Sequence, residues 1–104
     1  ADRLALSSRN RYLSAEDRAQ AAALPRMLAD IADRLRKEPS AVARELAWGF
    51  RQLEDAGFRK IDYIEVCDEA TLQPARQVTA PSRVFAAAWL GRTRLIDNWA
   101  INTS

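Results

Sequence analysis

The sequence has no histidine and a single cysteine, Cys67, in 104 residues. Without histidine the chain cannot by itself supply a His-ligated zinc, a Ser-His-Asp triad or a Cys-His dyad, and one cysteine allows no internal disulfide. No apolar run approaches the roughly 18 residues that cross a bilayer, and no signal-peptide pattern opens the chain. No membrane partner is therefore expected, and the expected location is the cytoplasm. Neither sign of charge dominates: 16 Lys and Arg stand against 14 Asp and Glu, a net of +2. A dedicated nucleic-acid binder concentrates basic charge far more heavily, so no nucleic-acid partner is expected either. What is present, 48% hydrophobic and 29% charged residues, suits one folded domain over residues 1–104.

The surplus charge is not spread evenly. Arg3, Arg9 and Arg11 face only Asp2 in the first dozen residues, and the rest of the chain is balanced. A polyanionic ligand would most naturally be met at that end.

Hydrophobic spacing divides the remainder into helices and then strands. Ser14 reads as a helix start, with Glu16 and Asp17 at the positive end of the dipole. Leu24, Met27, Leu28, Ile31 and Leu35 repeat at the interval of one helical face. Pro25 falls within that run and predicts a kink there, or two short helices end to end. Lys37-Glu38-Pro39-Ser40 ends this region, and Pro39 is expected in the first turn of the next helix. Val42, Leu46, Phe50 and Leu53, flanked by Ala43 and Ala47, form its predicted buried stripe, with Trp48 off that face. Gly57 is a suitable left-handed stop, with Phe58 folding back on the last turn.

From residue 61 the period changes to two. In 61–68, Ile64 and Val66 fall on one face and Tyr63, Glu65 and Cys67 on the other. Thr71-Leu72-Gln73-Pro74 reads as a turn-rich connection. Strands are expected at Arg83–Leu90 and Arg94–Ile101, joined through Gly91-Arg92-Thr93 in a tight hairpin. The expected fold is α+β: a two-layer domain with an N-terminal helical pair packed on a small, mostly antiparallel three-stranded sheet. One flat sheet face is left for another domain to cover.

Most of the chain's reactive groups have ordinary structural explanations. No carboxylate spacing selects an acid/base pair. Cys67 has no histidine to activate it and reads as a small buried hydrophobe. Trp48, Trp89 and Trp99 lack an interleaved basic stripe, so core or interface packing accounts for them better than base stacking. The most chemical stretch is Leu6-Ser7-Ser8-Arg9-Asn10. Its hydroxyls and backbone amides can be offered to phosphate oxygens, while the guanidinium neutralises charge.

In its wider context, Leu4-Ala5-Leu6-Ser7-Ser8-Arg9-Asn10-Arg11-Tyr12-Leu13-Ser14 resembles the start of the C-terminal domain of the pantoate–β-alanine ligase (pantothenate synthetase) family. That family carries a Met-Ser-Ser-Arg-Asn stretch there, akin to the phosphate-contacting KMSKS loop of class I aminoacyl-tRNA synthetases. Asp62-Tyr63-Ile64-Glu65-Val66, followed by Thr71-Leu72 and Pro74, is similar to the family's Asp-Tyr-Val-Glu strand and its sequel. Leu90-Gly91-Arg92-Thr93-Arg94-Leu95-Ile96-Asp97-Asn98 is similar to its closing hairpin.

The resemblance implies an ATP-dependent ligase. (R)-Pantoate is activated as pantoyl adenylate with loss of pyrophosphate, magnesium assisting the phosphates, and β-alanine then displaces AMP to give pantothenate. It further implies a homodimeric full-length enzyme whose substrate pockets lie mainly in an N-terminal Rossmann-like domain with a HIGH-type histidine motif. No such motif occurs in these residues, so the chain is expected to be the lid domain and inactive alone. By position, Leu6, Ser7, Ser8 and Arg9 correspond to the ATP-contacting segment. No catalytic residue and no metal ligand is assigned within the chain. Leu6 replaces the commoner methionine, Arg3 a glycine, and Pro25 is atypical in its helix. The competing expectation is a winged-helix-like nucleic-acid-binding module, which the same coarse order of elements permits. The second helix argues against it by mixing Arg44 and Arg51 with Glu45, Glu54 and Asp55.

Overall fold

The computed structural model describes residues 15–101; the Ser14 helix start and the Leu6–Asn10 segment lie outside them. Six elements follow in order: α1 (Ala15–Ala21), α2 (Ala23–Lys37), α3 (Val42–Asp55), β1 (Lys60–Asp68), β2 (Ser82–Leu90) and β3 (Thr93–Ile101).

The expected interruption near Pro25 takes the form of two helices end to end. The break falls at Ala22, three residues ahead of the proline, so that Pro25 occupies the first turn of α2. A first-turn amide has no partner within its own helix, and the missing donor costs little there. The chain passes the break on longer bonds, Ala22 N–H to the Arg18 carbonyl at 3.2 Å and Arg26 N–H to the Ala22 carbonyl at 3.4 Å. Beyond it, Leu24, Met27, Leu28, Ile31 and Leu35 are buried as their spacing predicts.

Two expectations about the next helix need correction. Pro39 is not in its first turn: α3 begins at Val42, and Pro39 sits in the preceding turn, its carbonyl accepting the Val78 N–H at 2.9 Å. Nor is the buried stripe Val42, Leu46, Phe50 and Leu53. The buried residues are Val42, Glu45, Gly49 and Leu53, while Leu46 is half-buried and Phe50 is 36% exposed. Gly49 accounts for the rotation. A Cβ at this position would lie 2.9 Å from Ile31 Cδ1, 3.0 Å from Met27 Sδ and 3.3 Å from Ile64 Cδ1. The helix turns its smallest residue toward α2 and β1, and that close approach wins over burial of the Phe50 ring.

Gly57 ends α3 at φ +97°, and Phe58 N–H returns to the Leu53 carbonyl at 3.1 Å with its ring buried. This is the left-handed stop read from the sequence.

The sheet is antiparallel in the order β1-β2-β3, each strand beginning one residue earlier than its spacing predicts. Leu90 pairs with Thr93, so the connecting turn is only Gly91-Arg92, with Gly91 at φ +60°. Ala86, Ala87 and Ala88 are poor strand formers but lie in the middle strand with no exposed surface. Ala86 and Ala88 belong to the core, where their small side chains leave room for the helices. The two layers meet over Ile64, Val66, Val84, Ala86, Ala88, Leu90, Leu95 and Ile101 from the sheet and the buried faces of α2 and α3. No described helix is long and apolar enough to cross a membrane.

Candidate functional site

The residues to which the sequence assigns nucleotide contacts, Leu6, Ser7, Ser8 and Arg9, lie outside the described residues, ahead of α1. What the structure supplies is the scaffold that follows them in the chain, with polar groups clustered in three places besides the exposed ion pairs of α2.

The first lies between α2 and α3. Glu45 is buried, and its carboxylate accepts from Arg34 Nη1 at 3.1 Å and from Arg44 Nε and Nη2 at 3.3 and 3.1 Å. Arg44 also reaches Glu38 at 2.6 Å. The Arg34 guanidinium stands 3.7 Å over the Trp48 ring centre, which gives this tryptophan its role as the platform beneath the bridging arginine. Sequence reasoning missed Glu45. The signal was its position one turn from both Val42 and Gly49, a carboxylate on the face that closes against α2. Arg44 is committed to two carboxylates, which leaves α3 without the free basic face a winged-helix-like module needs.

The second lies in the connection between β1 and β2. Asp68, Glu69, Ala70, Thr71, Ala80 and Pro81 line an open cleft of about 440 Å³. Of its two carboxylates, Asp68 is already occupied as a turn cap, since its Oδ1 accepts from the backbone N–H groups of Ala70 and Thr71 at 2.8 and 3.1 Å. Among the described residues no group of three histidine, cysteine, aspartate or glutamate side chains is placed to hold a metal ion.

The third is the outer face of the sheet, away from the helices. The pairing slips between Ile61 and Tyr63, which makes Asp62 the extra residue of a bulge. Ile61 and Ile64 both pack toward the core although three residues apart; without the bulge, the alternation set by Ile64 would turn Ile61 outward and Asp62 inward. Instead its Oδ2 accepts from Trp89 Nε1 at 3.2 Å and from Arg94 Nε at 2.8 Å, a tie across all three strands. The Arg94 hydrogen bond is the main reason the Asp62 carboxyl is held below its ordinary range; desolvation opposes it and the Trp89 bond assists. Farther along the same face, Arg83 donates to Asn98 at 2.7 Å. Cys67 is buried as expected, and that burial pushes its thiol up, away from the reactive thiolate.

These positions acquire a context from comparison with known proteins. The model of the family described as pantoate-beta-alanine ligase matches residues 1–100. The chain belongs to this family.

Among curated members of the pantoate–β-alanine ligase family, the pantothenate synthetase of Rhizorhabdus wittichii is 48% identical over 100 residues, covering 96% of this chain and 35% of the relative. That of Pseudomonas entomophila is 50% identical over 97 residues, covering 93% and 33%. The crystal structure of pantothenate synthetase from Thermus thermophilus superposes with a TM-score of 0.83 at 35% identity, over 95% of this chain and 36% of that one. The chain thus spans about a third of the length of the relatives it matches. The two ligase-like segments within the described residues converge in space. Asp62 of the first and Arg94 of the second are the partners of the tie across the sheet.

The depressed Asp62 carboxyl has a testable consequence. A carboxylate with a lowered folded pKa stabilises the fold above its unfolded pKa, and this contribution disappears as pH falls through the folded value. Asp62→Asn is therefore expected to lower the urea midpoint at pH 6 and to differ much less from the parent at pH 2.5. Equal differences at the two pH values would show that the charge of Asp62 contributes nothing.

Proposed function

We propose that this chain is the C-terminal lid domain of a ligase that condenses (R)-pantoate with β-alanine to pantothenate through pantoyl adenylate, releasing AMP and pyrophosphate. The supporting observation is the family match along residues 1–100. In this reading ATP is a substrate. Ser7, Ser8 and the backbone at Leu6 offer neutral donors to its phosphates, and Arg9 brings a positive charge when the lid closes. In the same reading magnesium travels with those phosphates. The pantoate and adenine pockets belong to a Rossmann-like N-terminal domain outside these 104 residues, and the full-length enzyme is a cytoplasmic homodimer.

A closing lid contributes by excluding water and by completing the charge complement around the phosphates. It follows that the 104-residue chain alone should form no pantothenate from pantoate, β-alanine and ATP, and should hold ATP very weakly. Two hydroxyls and one guanidinium do not offset the loss of freedom of a bound nucleotide. Replacing the matched third of the Rhizorhabdus wittichii enzyme with this chain should give a protein that makes pantothenate. Turnover by the isolated chain would overturn the lid assignment, and a folded but inactive chimera would overturn the ligase reading.

A further inference from the structure

Among the described residues, the outer sheet face is an apolar surface that the helices leave uncovered. Strand alternation places Tyr63, Phe85, Ala87, Trp89 and Ile96 on it, and none of the five belongs to the core cluster beneath the helices. Tyr63, Phe85 and Trp89 are half-buried, Ile96 is 46% exposed, and Ala87 at the centre has no exposed surface. At one end of this face Asp62 pairs with Arg94 and Lys60, and at the other Arg83 donates a hydrogen bond to the neutral Asn98 amide. An aromatic centre with a satisfied polar rim is the anatomy of an interface. The solvent side of α2 is different in kind: Asp33 lies 3.8 Å from Arg36 and 3.6 Å from Lys37, a run of exposed ion pairs.

We infer that this face is the surface on which the nucleotide-binding domain of the proposed enzyme docks, an inference that rests on the ligase reading. Two observations select that occupant. The matched relatives carry about two thirds of their length outside the region this chain covers, enough chain for a domain that could cover this face. Three strands of nine residues offer about 400 Å² of sheet, from a rise of about 3.4 Å per residue and a spacing of about 4.8 Å between strands. This suits one side of an interdomain contact, for which about 600–1,500 Å² in total is usual, and is half of the roughly 800 Å² per partner of a stable association between separate proteins. A polyanion is a poorer occupant, because Glu65 is exposed on the same face and Asp62 neutralises Arg94.

Hydroxyl-radical footprinting with mass spectrometry reads this face one side chain at a time. The comparison is between the isolated chain and the chimera in which it replaces the matched third of the Rhizorhabdus wittichii enzyme. Oxidation of Tyr63, Phe85 and Trp89 should fall at least threefold in the chimera, while Leu72, 67% exposed in the β1–β2 connection, should be unchanged. Equal rates at the three aromatics would overturn the inference. So would protection already present in the isolated chain, with its sedimenting mass telling a second copy from cover by the chain's own segments. The same chimera is assayed for pantothenate: product with unprotected aromatics removes the docking face alone, and a folded chimera without product removes the ligase reading on which it rests.

Discussion

Arg9→Ala, introduced into a full-length enzyme carrying this domain, is expected to slow pantoyl-adenylate formation by on the order of 100-fold or more, the scale of losing one preorganised donor to a developing charge. Negative charge spreads over the phosphates as pyrophosphate departs. A guanidinium that arrives on lid closure stabilises that state more than it stabilises bound ATP, so the loss falls on the chemical step and not on affinity alone. Ser7→Ala and Ser8→Ala remove neutral donors and should each cost less. Attack of β-alanine on preformed adenylate should change little, because pyrophosphate has already left. Single-turnover rapid quench separates the two half-reactions. An unchanged first step, or a defect confined to the second, would remove Arg9 from the phosphates.

The largest effect expected on the fold itself comes from filling the contact at Gly49. Val at this position drives branched carbons into Ile31, Met27 and Ile64, which already stand 2.9 to 3.3 Å from where a first Cβ would be. Overpacking of this kind costs about 3 kcal/mol, the upper part of its usual range. For a domain of this length that lowers Tm by on the order of 15 °C. Gly49→Ala should behave differently. Its single carbon meets the ends of flexible side chains, and alanine is about 1 kcal/mol better than glycine inside a helix. The two effects oppose each other, leaving alanine within about 1 kcal/mol of the parent. Thermal unfolding followed by circular dichroism measures both, and a valine variant as stable as the parent would show that α3 does not approach α2 as closely as described.

The same glycine marks where sequence reading stopped being sufficient. The α2 face, the Gly57 stop, the three strands and a tight hairpin at Gly91 all follow from local rules, because spacing, backbone freedom and pairing act over a few neighbouring residues; that Thr93 pairs with Leu90 and leaves a two-residue turn is added by the structure. The rotation of α3 does not. Val42, Leu46, Phe50 and Leu53 make a respectable stripe by spacing, and only the presence of α2 and β1 at Gly49 decides for Glu45 over Phe50. The Asp62 bulge is hidden for a similar reason: nothing in Ile61-Asp62-Tyr63 announces an extra residue until β2 and β3 bring Trp89 and Arg94 beside it. Of the candidate site, Leu6, Ser7, Ser8 and Arg9 were legible only through the resemblance to the ligase family. As a bare pattern, two hydroxyls and an arginine before a helix are too common to carry chemistry.

The strand order carries a consequence for the kinetics of assembly. Each strand pairs with its neighbour in the chain, and α2 packs on the helix that follows it, so much of the structure closes locally, and loop closure costs grow only slowly across the longer β1–β2 connection at residues 69–81. The exceptions are α2 against β2 and β3, which join the first half of the described chain to its last two strands. The helical pair and the three-stranded meander are thus two locally ordered halves. Their joining waits on the last strand, and a ribosome must release nearly the whole domain before its core can close.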